Sequence, residues 1–283
     1  MSKRSLMLSL KHIRRFTSIM TSSDGLHLFK TAMQLVYGSL DNLSEHSAHN
    51  WTPPDVPGAG GHRGRYLWTD AFGVINFLTL SKETSSAVYL TLAKRLASTV
   101  HDVLGRTRDG NSRLPLATDA EPLKGGLRIG KVSAHGSDGD GQYHHYLTLW
   151  MFALNRLTLA TGEQRYNDLA IQLTTAIHPY FVFLAGNGNG KRMVWKISTD
   201  MRHVLVPSEG HLDAATGFVV YRLLQNTRTL LRMEVSSTAW PSERNSRLSA
   251  NHASQRQAEG EQRPSRPWDG TMDVPLLPER GLG

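Results

Sequence analysis

The chain has 283 residues, 39% of them hydrophobic, which is enough length and apolar content for one large or two small domains with a true core. It holds no cysteine, which excludes disulfides, thiolate catalysis and cysteine-ligated zinc. The formal charge of +8 does not mark a nucleic-acid groove: five of the 32 Lys and Arg residues fall in the first 23 positions, which contain no acid, leaving 27 basic against 24 acidic residues in the body.

Residues 1–24, opening "MSKRSLMLSLKHIRRFTSIM", are basic, Ser-containing and acid-free up to Asp24, the composition of a mitochondrial presequence or of a disordered N-terminus. Their apolar runs are too short to span a bilayer, and no other stretch reads as transmembrane. A soluble chain without a membrane partner is therefore expected, cytoplasmic or, on the strength of the leader, mitochondrial. From Leu28 a one-faced helix is predicted through Ala32, Leu35, Val36, Ser39, Leu40 and Leu43, and the Asn-Leu-Ser sequon at Asn42 falls inside that pattern.

"DAFGVINFLTL" from Asp70 is apolar on nearly every side and predicts an inner helix covered all round. "VYLTLAKRLASTVHDVL" from Val88 returns to a single face of Tyr89, Leu92, Ala93, Leu96, Val100 and Val103, an outer helix. The alternation repeats with an inner helix from Tyr146 and an outer one from Arg165 that buries Tyr166, Leu169, Ala170, Leu173 and Ile177. A third inner pattern, "DAATGFVVYRLL", starts at Asp213. An offset of 77 residues carries Leu80 to Leu157, Tyr89 to Tyr166, Ala93 to Ala170, Leu96 to Leu173 and His101 to His178, an internal repeat. Strand-like material is confined to short runs such as "RMVWKIS", so an all-α fold of repeated helical hairpins is expected over residues 25–226.

Inner helices pass to outer ones through short joints, near 81–87 and 160–164. The return segments 45–66, 106–142 and 182–211 are far longer, and because helices alternate direction all three are predicted to cross the same face. "GGLRIGKVS" at 125–133 lies in the second. It imitates a phosphate-binding loop, but Val132 stands where such a loop needs Ser or Thr for Mg²⁺, and no strand and helix flank it. Its glycines are read as turns over the mouth of the array, and Arg128 and Lys131 as solvated cations.

Each inner helix is entered through chemistry-bearing residues: "GHRGRYLWTD", "GSDGDGQYHHY" and "VPSEGHLDA". Singly, Asp70, Asp140 and Asp213 read as helix caps; as a set, with His144 and His211, they read as a site. Glycoside cleavage needs one carboxylic acid and one carboxylate, for which Asp70 and Asp140 are the favoured pair and Asp138, Glu209 and Asp213 the remaining candidates. Trp68, Tyr143 and Trp195 offer flat apolar faces for sugar rings, and Arg65 and Gln142 join them as substrate-binding candidates. His144 and His145 point about 100° apart on a helix, so no metal site is expected, and no cofactor is called for. His101 and His178 read as structural.

These inner-helix starts, above all "RGRYLWTDAFG" and "DGDGQYHHYLTLWMFALNR", resemble the six-hairpin glycosidase superfamily, and an uncharacterised fungal branch of it, over about residues 26–225. That resemblance implies an (α/α)₆ toroid with a central carbohydrate pocket, in a superfamily that includes glycoside hydrolases, unsaturated glucuronyl hydrolases and N-acylglucosamine 2-epimerase-like isomerases. A closed toroid has twelve helices, whereas six are counted here. After Gln225 the periodicity is lost, so 227–283 reads as a disordered or aberrant tail, such as a retained intron or frameshift would produce, and the array is expected to have an exposed apolar edge and an incomplete pocket. A glycoside hydrolase is the leading expectation. A sugar epimerase or isomerase using His144 and His211, and a noncatalytic or inactive helical-repeat module, are the alternatives.

Overall fold

The computed structural model describes residues 23–54, 65–136, 138–184, 190–210 and 212–238. The expected leader therefore lies almost wholly outside the described residues, as do His211 and most of the expected tail. The chain divides into two units, Met1–Glu234 and Val235–Gly283, and the description below concerns the first.

The fold is mostly helical, with a small antiparallel sheet. Among the described residues seven helices follow one another: α1 (Ser23–Tyr37), α2 (Glu45–Asn50), α3 (Leu67–Thr84), α4 (Ala87–Leu104), α5 (His144–Thr161), α6 (Arg165–Phe181) and α7 (Asp213–Thr238). Helix α3 packs against α4, α5 packs against α6, and α3 and α5 lie side by side. The joints are tight. Ser85, in the left-handed region at φ 54°, ends α3, and Gly162, at φ 72°, ends α5.

Helices α4 and α6 are amphipathic, as their periodicity predicts: Tyr89, Leu92, Ala93, Leu96 and Val100 are buried on one, Tyr166, Ala170, Leu173 and Ile177 on the other. Helix α5 is the best covered, with Trp150, Met151, Leu154 and Leu157 wholly buried. Cover on α3 is less complete than its composition suggests, since Phe72 is exposed. Helix α1 turns inward a face that shares Val36 with the predicted one but otherwise differs from it. Leu28 and Leu35 are 68% and 85% exposed, while Met33 and Tyr37 are buried with Leu26 and Phe29 packed beside them. Both stripes have helical spacing; the larger residues occupy the core. The helix also stops at Tyr37, with Gly38 at φ 78°, so the Asn42 sequon sits in an exposed turn, with Asn42 itself at φ 56°.

The sheet departs from the all-α expectation. Strand β3 (Lys191–Ile197), part of the strand-like run, is its centre and pairs antiparallel with β1 (Gln142–Tyr143), β2 (Val182–Leu184) and β4 (Val204–Glu209). Its partners escape a pattern search for physical reasons: β1 is two residues long, and β4 carries Pro207 and is exposed at nearly every position. Helix α7 runs on to Thr238, past the point where the periodicity fades. Among its described side chains it buries a narrow stripe of Asp213, Gly217, Val220, Leu224 and Thr227, while Phe218, Val219, Leu230 and Met233 are exposed.

Candidate functional site

The second crossing is stitched to the head of α3 and to the third crossing. Ile129, in the second crossing, accepts from Leu67 N at the head of α3 (3.0 Å) and donates its own N–H to Gly141 O (2.8 Å), one residue before β1. Gln142, fully buried, binds three backbone groups: its Nε2 donates to Gly125 O (2.9 Å) and Thr199 O (3.0 Å), and its Oε1 accepts from Leu127 N (3.2 Å). Gly126 lies against that amide at φ 76°, leaving no room for a Cβ. The β1–β3 pairing then clamps the third crossing onto the second. These bonds give Gln142 a scaffolding place between two crossings.

Two sequence candidates sit beneath this lid, engaged with cations. Asp70 is fully buried and takes a two-pronged ion pair from Arg65, Nε to Oδ1 and Nη2 to Oδ2, both 2.9 Å, with the Tyr37 hydroxyl donating to Oδ1 at 3.2 Å. Burial raises its pKa while Arg65 and Tyr37 oppose the rise. It does not cap α3; the cap position is Tyr66, without a side-chain bond. Asp140 is also buried. Its Oδ2 receives Arg128 Nη1 (2.7 Å) and Arg108 Nη1 (2.9 Å), and its Oδ1 accepts from the backbone N–H groups of Gly130 (3.0 Å) and Lys131 (3.3 Å). The glycine-rich turn that imitates an anion cradle thus holds the chain's own carboxylate, and Arg128 is a buried counter-ion rather than a solvated cation.

The aromatic candidates do meet. Trp68 lies 5.1 Å from Tyr146 and 5.6 Å from His145, Tyr143 lies 4.9 Å from Tyr146 and 4.7 Å from Trp195, and all five are partly exposed. Tyr66 extends this wall, 5.8 Å from Tyr146. The cations Lys131 and Lys196 stand over the rings of Tyr66 and Tyr143, at 5.3 and 5.2 Å. Trp195 is steadied by donating to Ser208 Oγ (2.9 Å).

Beside the wall is an imidazole–carboxylate cluster. Asp213 Oδ1 lies 3.6 Å from Nδ1 of both His144 and His145. Adjacent helical residues point far apart, yet the two rings share one oxygen because the start of α7 reaches α5 between them. Burial acts to raise the Asp213 pKa, but the two imidazoles outweigh it and hold the carboxyl well below its ordinary range. Burial lowers the pKa of His144, against the pull of Asp213. His144 is fully buried, whereas the His145 side chain is 37% exposed. His144 Nε2 lies 3.2 Å from the Tyr221 hydroxyl. Glu209, by contrast, is exposed on β4 and paired with Arg192 (2.9 Å).

The sequence reading omitted His145, Tyr146 and Tyr221 from the site. Tyr221 had a signal: it stands two turns after Asp213 on the same side of α7. Among the described residues no group of three His, Asp or Glu side chains is placed to hold a metal ion, and no helix is long and apolar enough to cross a membrane. Comparison of the chain with protein-family models, with curated proteins and with solved structures finds no match.

Proposed function

We propose that the chain is a carbohydrate-active enzyme of the six-hairpin kind, and that its helices are part of an (α/α)₆ array. The hairpins α3–α4 and α5–α6 support the repeat, since Leu80 and Leu157, Ala93 and Ala170, and Leu96 and Leu173, each 77 residues apart, are all fully buried. The observation that carries the sugar reading is the open wall of Trp68, Tyr146, Tyr143 and Trp195, ending on a half-exposed imidazole backed by a carboxylate. Aromatic faces take the C–H faces of sugar rings, and an imidazole is the side chain most often used to carry a proton to or from a reacting group.

Of the two chemistries, the geometry favours proton transfer at a sugar carbon next to a carbonyl, an epimerase or isomerase reaction, over hydrolysis. Both carboxyl oxygens of Asp70 and of Asp140 are committed to internal donors, which leaves them positioned to hold the crossings rather than to protonate a leaving group. His145 is the acid–base candidate and Asp213 its counter-ion. A hydrolytic reading rests instead on Asp213 with Glu209, four residues apart at the joint between β4 and α7.

Incubating the full-length chain with free reducing sugars in D₂O, beside a panel of aryl glycosides, separates the outcomes. Deuterium at the carbon next to the carbonyl, lost in His145→Gln and Asp213→Asn but retained in Glu209→Gln, supports proton transfer. Release of the aryl group selects hydrolysis, and saturable sugar binding with neither reaction selects a noncatalytic module. Absence of any binding or turnover ends the carbohydrate reading.

A further inference from the structure

Two buried atoms of the cluster have no hydrogen-bond partner, His144 Nδ1 and Asp213 Oδ1, and they face one another at 3.6 Å, just beyond hydrogen-bond reach. The other ring nitrogen, Nε2, is 3.2 Å from the Tyr221 hydroxyl. The His144 ring is also held in place from both sides: the Phe181 ring is 5.2 Å away, and α7 approaches so closely at Gly217 that a Cβ there would stand 2.9 Å from His144 Cε1. The ring therefore has a fixed orientation and, among the described residues, two polar neighbours to satisfy.

Three protonation patterns are available to it. A proton on Nε2 alone would point the Nδ1 lone pair at a carboxylate oxygen, two buried acceptors facing each other. Protons on both nitrogens would place a full charge in a buried ring, which burial opposes. A proton on Nδ1 alone aims a donor at Oδ1 and leaves Nε2 free to accept from Tyr221. We infer that Tyr221 is a positioning residue: by donating its hydroxyl to Nε2 it holds His144 neutral in the Nδ1–H form, so that the negative charge of Asp213 remains available to His145. This rests on the reading of His145 and Asp213 as the proton-transferring pair.

The charged and titratable groups around the two rings come from every neighbouring element. Asp213 and Tyr221 face His144 from α7. His178 reaches from α6 to within 5.8 Å of the Tyr221 ring. His145, next along α5, is surrounded by Trp68 of α3 and by Tyr143 and Tyr146. Asp213 is the one acid in contact with either ring among the described residues. Without the Tyr221 hydroxyl, the bond that favours the neutral ring is gone while the anion stays, and the second proton becomes favourable.

The test uses the full chain labelled with ¹⁵N-histidine and no ligand, followed by long-range ¹H–¹⁵N spectra from about pH 5 to about pH 8, the His144 signals being assigned by their loss in His144→Gln. The expected wild-type spectrum has a protonated Nδ1 and an acceptor Nε2 throughout that range. In Tyr221→Phe, His144 should take up its second proton within it, and adding Asp213→Asn to Tyr221→Phe should restore the singly protonated ring, which a merely loosened fold would not do. A wild-type His144 that is protonated at Nε2, or doubly protonated, overturns the proposal, as does a Tyr221→Phe ring that never gains the proton or a double variant that keeps it. Because no sugar is present, failure here leaves the deuterium assay standing, and failure of that assay leaves this assignment standing.

Discussion

Asp70 and Asp140 carry structural weight through their partners. The Arg65–Asp70 pair is almost wholly out of water, so removing one member leaves a buried charge without compensation. Arg65→Met is expected to destabilise the fold by about 3–5 kcal/mol in urea unfolding, and Tyr37→Phe by about 1 kcal/mol. A further residue sets the acid response. His101 Nε2 accepts from the Trp150 indole at 3.0 Å, and burial together with the charge of Arg113 lowers its pKa from 6.5 to about 4. The unfolded chain binds this proton at a higher pH than the folded chain does, so the folded state's advantage is full above pH 6.5 and shrinks as the pH falls towards 4. About 3 kcal/mol should be lost across that window, and His101→Gln should remove that part of the slope in unfolding curves taken between about pH 7 and about pH 4. The sequence revealed that acids gather at the inner-helix starts. It did not reveal which were neutralised, because Arg108 and Arg128 reach Asp140 from 32 and 12 residues away, a pairing that no local spacing records.

At the level of elements, periodicity located α4 and α6 well because each has one apolar face. It misjudged α1, whose Leu28–Ala32–Leu35 and Leu26–Phe29–Met33 stripes both have helical spacing; the winner is decided by Tyr37, whose hydroxyl reaches Asp70 and the Thr69 carbonyl. The close approach at Gly73 depends on the same tyrosine. A Cβ at that position would collide with the Tyr37 hydroxyl and stand 2.9 Å from Leu96 Cδ2. Alanine is the better helix former, so propensity favours Gly73→Ala by about 1 kcal/mol, yet overpacking against a hydrogen-bonded ring should win and leave the variant less stable by about 2 kcal/mol. A differential scanning measurement showing a raised Tm would reverse that ranking. The sheet was legible only at β3, since its partners are too short or too exposed to declare themselves, and without it the third crossing had no visible tie to the second.

Across the molecule, the second crossing is tied to the head of α3 and to the third crossing by hydrogen bonds between segments distant in sequence. Helix α7 presents an apolar surface, where Phe218 is 60% exposed. The central claim, that these tied segments build a sugar-binding wall, is tested most directly by the indole N–H resonances of the full chain during a saccharide titration. Trp68 and Trp195 line the wall, whereas Trp150 is fully buried and bound to His101, an internal control in the same spectrum. The account predicts saturable shifts of the Trp68 and Trp195 signals with Trp150 unmoved, weakened about tenfold in affinity by Tyr146→Ala; saccharide that leaves Trp68 and Trp195 where they were, at every concentration, would contradict it.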